Sequence, residues 1–227
     1  MRTRTFSLVL TLAVAVLASA CSDGVITFPT PDPAQVRIVN VTQNVPVTRV
    51  IFDSTIVLDA ARGQASQYVE IAAGRPVTFT LGSPNKIYRS NLRYTLGGNA
   101  RVILFARGDT NGLVEFRREI QDTTLPSGTP HAVIRFTHMA ENVDKAYFVE
   151  VWSNGQRLMT QDFEPGISSP TYTIIQPGTH TFEIREAGTT NVLATLTNVQ
   201  LFAGLSYMLY TYDTQTQTTD DLTLDIF

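Results

Sequence analysis

Apolar and polar residues alternate in short runs along most of this chain. Val36-Arg37-Ile38-Val39-Asn40-Val41 opens the series, and runs at 47–52, 67–71, 76–81, 91–96, 101–106 and 113–118 continue it. Gly, Pro, Asn and Asp separate the runs at a spacing near ten residues. Period-two alternation broken by turn residues predicts β-strands arranged as a sandwich or barrel. After residue 33 no segment of helical length shows a 3.6-residue period.

The pattern occurs twice. Residues 37–45, RIVNVTQNV, align with residues 135–143, RFTHMAENV, each a strand entering a polar turn that ends in Asn-Val. Ile71-Ala72-Ala73-Gly74 aligns with Ile175-Gln176-Pro177-Gly178, each before a strand with a central Phe (Phe79, Phe182). Leu96-Gly97-Gly98 followed by 102–106 aligns with Phe202-Ala203-Gly204 followed by 208–212. Three blocks in one order indicate a duplication. The break falls at 122–130, which is polar, holds Pro and Gly, and lacks periodicity. Within the second repeat, Asn154-Gly155 between 148–153 and 156–161 predicts a two-residue type I′ hairpin, because both residues tolerate φ > 0. Asp53-Ser54 is the weaker counterpart in the first.

On these pieces the chain resembles the bacterial family called domain of unknown function 4397. The motifs are Arg135 to His138, Asn154-Gly155, Ile175 to Gly178, and Phe202 to Tyr207. The resemblance covers 34–118 and 132–227 and is fuller in the second half, since Arg101 aligns with Tyr207. It implies paired immunoglobulin-like sandwiches on an exported, often lipid-anchored protein, and supplies no catalytic residue.

The N-terminus follows a different logic. Arg2 and Arg4 precede an apolar run at 6–17, and Ala18-Ser19-Ala20-Cys21 follows. A basic start, a short apolar core and small residues before a cut form an export signal, and a dozen residues fall short of the ~20 that span a bilayer. Cys21 is the only cysteine, so it has no disulfide partner in the chain. At the end of such a segment it resembles the lipid-bearing cysteine of a bacterial lipoprotein, although Leu17 lies four rather than three residues before it. Ordinary cleavage after Ala20 would instead release a free thiol. Ser22 in place of Asp resembles an outer-membrane address. Residues 22–33, SDGVITFPTPDP, hold Pro29, Pro31 and Pro33, so they form an extended spacer that reaches ~37 Å at ~3.1 Å per residue.

Composition narrows the function. Removing residues 1–20 takes two arginines and no acid, leaving 15 basic against 20 acidic residues and a net charge of −5. Dispersed cations on an acidic chain exclude phosphate-backbone recognition, and nucleic acid is not an expected partner. His131, His138 and His180 lack metal-ligand spacing, and no second thiol completes a zinc set. No G-x-S-x-G elbow occurs, and 109–112, DTNG, lacks the calcium-loop ladder. Arg107-Gly108-Asp109 reads as a plain turn, and Asp220, Asp221 and Asp225 as a solvated edge. At 222–226 Leu222, Leu224 and Ile226 share one face, so the last strand presents a buried apolar side rather than a lipid-facing one.

The expectation is therefore an all-β chain of two tandem immunoglobulin-like antiparallel β-sandwich domains. Signal peptide 1–20, lipidated Cys21 with spacer 21–33, first domain 34–121, linker 122–130 and second domain 131–227 complete the layout. No cofactor, metal or catalytic residue is assigned. The expected function is non-catalytic binding or scaffolding in the bacterial cell envelope, with the membrane as partner through lipid on Cys21 and an envelope protein or glycan as ligand. One alternative is a carbohydrate-binding module using Trp152, Tyr210 and Tyr212, although alternation favours a core role for those tyrosines. The other is a hydrolase with a site between the domains.

Overall fold

The computed structural model of this chain describes residues 30–109, 113–121, 125, 128–140, 148–213 and 222–227. Among these it is all-β and contains no helix. The first half forms eight strands: β1 (Ala34–Asn40), β2 (Val47–Phe52), β3 (Ile56–Ala61), β4 (Val69–Ile71), β5 (Pro76–Ser83), β6 (Lys86–Thr95), β7 (Arg101–Arg107) and β8 (Glu115–Gln121). The second half repeats them as β9 (Ala132–His138), β10 (Val149–Ser153), β11 (Gln156–Arg157), β12 (Thr173–Ile175), β13 (Gly178–Glu186), β14 (Val192–Leu201), β15 (Ser206–Asp213) and β16 (Leu222–Ile226).

Sheet order repeats as well. Sheet β4-β1-β7-β8 corresponds to β12-β9-β15-β16, and β3-β2-β5-β6 to β11-β10-β13-β14. The expectation of purely antiparallel sheets meets one exception in each half, where β1 runs parallel to β7 and β9 to β15. Five strands intervene between the members of each pair, and such a long connection is what a parallel pairing needs. The register also corrects the alignment of the halves by one residue. Arg37 pairs with Ile103 and Arg135 with Met208, so Val102, not Arg101, holds the place of Tyr207.

Local chemistry repeats with the strands. At the first hairpin Asp53 and Ser54 have φ of 45° and 63°, and at the second Asn154 and Gly155 have 49° and 76°, the left-handed pair of a type I′ turn. The Thr78 amide donates to Asp53 Oδ1 at 2.8 Å, and the Thr181 amide donates to Asn154 Oδ1 at 2.8 Å. The polar turn after β1 is held from inside by the fully buried Asn40. Its amide donates to the Val45 and Ala60 carbonyls, and its Oδ1 accepts from the Thr42 amide and hydroxyl.

Each half buries its own core. Val36, Ile38, Val50, Phe52, Phe79, Leu81 and Leu104 fill the first, where Phe52 and Tyr94 both meet Phe79 edge-on. Ile134, Phe136, Val151, Phe163, Phe182, Ile184 and Leu209 fill the second, together with Leu222 and Leu224 of the last strand. A third cluster joins Val39, Val41, Ile103 and Phe105 to Met139, Met208, Tyr210 and Tyr212. It seats sheet β4-β1-β7-β8 against sheet β12-β9-β15-β16. The four sheets therefore stack as four layers, with apolar packing in all three gaps.

That stacking explains β7. Its run Val102-Ile103-Leu104-Phe105-Ala106 is buried throughout, because Val102, Leu104 and Ala106 face the first core while Ile103 and Phe105 face the other half. A strand covered on both faces reads as a continuous apolar run instead of an alternating one.

Candidate functional site

The three aromatics considered as a ligand surface do not share one. Tyr210 is 1% exposed and Tyr212 7%. Both lie in the gap between the halves, where the Tyr210 ring meets Phe105 at 5.2 Å, Phe227 at 5.2 Å and Tyr212 at 5.9 Å between centroids. The Tyr210 hydroxyl donates to Asp225 Oδ2 at 3.0 Å. A glycan-stacking platform is thus corrected to an interior seam, since a ring packed on both sides has no face for a sugar. These tyrosines sit on the second face of a strand whose first face is already core. The sequence signal for that seam is the near-continuous apolar character of 102–106 and 207–212.

Trp152 lies elsewhere, on the outer face of sheet β11-β10-β13-β14, and is only partly exposed. Its ring is covered by Arg185, whose Cζ stands 4.0 Å from the ring centre. The indole N–H, 2.9 Å from Glu150 Oε2, holds that carboxyl below the usual carboxylate range. The Gly188 amide and the Arg157 and Arg185 charges act in the same direction. Arg157 bridges Glu150 to Asp162, and Glu183 binds Arg185. The ledge is a closed charged lattice whose hydrogen bonds are made internally.

Burial holds the Tyr210 hydroxyl well above the ordinary phenol range, and the Asp225 charge adds to it. Burial also raises Tyr212 and Tyr68. In each case the folded protein keeps a proton that the unfolded chain releases near pH ~10. Stability from these groups is full below that pH and falls as pH rises above it. Urea midpoints at pH 9, 10 and 11 should therefore decline, less steeply in Tyr210→Phe. A flat series would contradict the buried seam.

Polar groups rim the seam. Glu119 is 4% exposed and meets Arg117 at 3.0 Å and Arg135 at 3.3 Å. Ser168 Oγ donates to Glu119 Oε1 at 2.6 Å and lies 2.7 Å from Thr137 Oγ1. Arg62 donates to the Thr42 and Asp213 carbonyls, and Gln121 to the Ser206 carbonyl. Arg37 lies 3.6 Å from the centre of the Phe227 ring. The seam is thus filled and ion-paired where a hydrolase between the halves would need a polar cleft. Ser168 faces a carboxylate already held by two guanidiniums.

Two of the histidines, His138 and His180, are buried. His180 Nε2–H donates to the Gln176 carbonyl at 2.8 Å, which leaves Nδ1 to accept from the Ser153 hydroxyl at 2.9 Å. The pair is buried beneath the second hairpin and ties it to β13. His138 is 1% exposed at the end of β9. Among the described residues no cluster of three or more His, Cys, Asp or Glu could hold a metal. In the Arg107-Gly108-Asp109 turn, Arg107 is paired with Glu115 at 2.8 Å. A Cβ on Gly108 (φ 100°) would lie 1.8 Å from the Leu113 carbonyl oxygen, so that position requires glycine.

An open polar depression of about 400 Å³ is lined by Asp32, Pro33, Gln35, Glu70, Asn99 and Arg101. Asn99 donates to Asp32 and Arg101 to Gln35, so its polar groups pair with one another. Cys21, most of spacer 21–33, linker positions 122–124 and 126–127, the 110–112 turn and Asp220-Asp221 lie outside the described residues. Among the described residues no helix is long and apolar enough to cross a membrane.

No known family profile matches the chain, and no curated protein matches it. Among solved structures it is similar to a leucine-rich repeat protein from Bacteroides thetaiotaomicron at 12% identity, with a TM-score of 0.18 over 86% of this chain and 27% of that one. It is also similar to a candidate cell-adhesion protein from Bacteroides fragilis at 12% identity, with a TM-score of 0.22 over 86% of this chain and 97% of that one. The chain spans about a quarter of the first structure's length. At such scores neither likeness bears on function.

Proposed function

We propose that this protein is a lipid-anchored module of the bacterial cell envelope that binds or scaffolds without catalysis. The observation that carries the reading is Cys21, a lone cysteine closing a short apolar export segment. One acyl chain gives only marginal membrane binding, so a stable tether takes more than one chain on that residue. The resemblance to the domain of unknown function 4397 family supports the same placement. Among the described residues the seam is closed by apolar packing and ion pairs, an arrangement that suits a binding or scaffolding module.

Metabolic labelling with a clickable fatty acid tests the anchor. Wild type should label and stay with membranes, whereas Cys21→Ser should lose the label and appear in the soluble exported fraction. Equal labelling of both forms would end the proposal.

A further inference from the structure

The two halves match strand for strand, so a place where they differ in chemistry marks what one has and the other lacks. The clearest difference is the side of each sandwich bounded by the last strands of its two sheets, β6 and β8 in the first and β14 and β16 in the second. In the second, Ile226 of β16 and Leu196 and Val199 of β14 pack on the core. Register equivalence puts Arg118, the partner of Leu104, where Ile226, the partner of Leu209, stands. Tyr94, the partner of Val77, likewise stands where Val199, the partner of His180, does. An apolar closure has become a cation over an aromatic ring, with Arg118 Cζ 5.3 Å from the Tyr94 centre.

The rest of β6 carries the same change. Its sequence KIYRSNLRYT places Lys86, Arg89 and Arg93 on an exposed edge with no acid, whereas β14, VLATLTNVQL, is uncharged. Arg49, Arg75, Arg107, Arg117, Arg135, Arg157 and Arg185 each pair with a carboxylate. Among the described residues, Lys86, Arg89, Arg93 and Arg118 do not. Lys86 and Arg118 stand over the rings of Tyr88 and Tyr94, each 5.3 Å from the ring centre. Arg37, Arg62 and Arg101 also lack a carboxylate, but they are partly buried and held by the Phe227 ring, backbone carbonyls and Gln35. On a chain with net charge −3, the exposed described cations without a carboxylate are therefore gathered along one edge. At ~3.3 Å per residue the line from Lys86 to Arg93 is ~23 Å long, more than two screening lengths at physiological salt. Each cation therefore interacts with its own stretch of a partner.

We infer that this edge binds an anionic polysaccharide, with Arg89, Arg93 and Arg118 as guanidinium forks for carboxylate or sulfate groups and Lys86 as a point charge. The inference rests on the binding-module reading above. Guanidinium pairs bidentately with such planar or tetrahedral anions. Partly buried Tyr88 and Tyr94 supply ring edges against which a sugar can rest. A peptide strand added to β6 is disfavoured, because Asn91 (φ 56°) and two register shifts against β5 break the ladder. Edge cations also guard against strand pairing, but that role needs no affinity for anions.

The test uses the full chain in detergent with four probes: polygalacturonate, heparin, poly-glutamate and neutral dextran. Polygalacturonate or heparin should bind, more weakly as salt rises, and dextran should not. Arg89→Gln/Arg93→Gln should weaken that binding by about tenfold or more at low salt, with Arg118→Gln acting in the same direction. All three positions are exposed, so the melting temperature should be unchanged. Absence of binding to either acidic glycan at low salt, or equal binding by wild type and the double variant, overturns the inference. So does poly-glutamate binding as tightly as the glycans, which would assign the edge to acidic peptide. The fatty-acid labelling at Cys21 reads the anchored-module proposal independently, so either can fail alone.

Discussion

Truncating Tyr210 to alanine should lower stability by about 3–5 kcal/mol, the range for loss of a large buried aromatic. Its ring is 1% exposed and joins Phe105 of β7 to Tyr212 and Phe227, so the vacancy opens in the seam between the halves. Each half retains an independent core, and the seam is the apolar contact that couples them. Chemical denaturation of Tyr210→Ala should therefore broaden or separate into two steps, whereas wild type should unfold in one. Tyr210→Phe keeps the packing and loses only the bond to the Asp225 carboxylate, a cost of about 1.5–3 kcal/mol. Should Tyr210→Ala cost under about 1 kcal/mol, with a single sharp transition, the seam would not be coupling the halves.

The second large effect is expected at Glu119. Replacing it by alanine leaves Arg135, 19% exposed at its side chain, and Ser168 without their acceptor. Breaking a buried ion pair from one side costs about 3–5 kcal/mol. Arg117 is 37% exposed and can turn to water, which brings the expected loss to about 2–3 kcal/mol. Arg135 also donates to the Ser169 carbonyl, so its own removal does not simply mirror that of Glu119. A double-mutant cycle over Glu119→Ala and Arg135→Ala isolates the pair and should return a coupling of about 0.5–3 kcal/mol. A coupling indistinguishable from zero would reduce the pair to a solvated contact.

Strand positions were legible because half-buried strands write period-two alternation into the chain. Runs at 47–52, 76–81 and 101–106 appear as β2, β5 and β7 with small changes at their ends. Strand β6 was legible only from residue 91, where the run 91–96 begins at Asn91. Asn91 is a left-handed residue inside a longer edge strand. Turn chemistry and bulge chemistry draw on the same tolerance of φ > 0, and only the pairing partner tells them apart. The basic edge was hidden for that reason, since Lys86 and Arg89 lay outside the assigned run.

By itself the sequence determined the all-β class, the duplication, the two type I′ hairpins and the buried face of the last strand. All of these follow from short-range pattern, which the pleat and left-handed turn positions impose residue by residue. Only the tertiary structure decided which second faces are covered. Tyr210 and Tyr212 became a seam, Trp152 came to lie under Arg185 on a distant face, and Arg118 met Tyr94 at an edge the other half closes with Ile226 and Val199. Alternation tells how a strand divides its side chains between two faces. What lies against each face depends on sheets joined by residues far apart in the chain, and no local pattern records that.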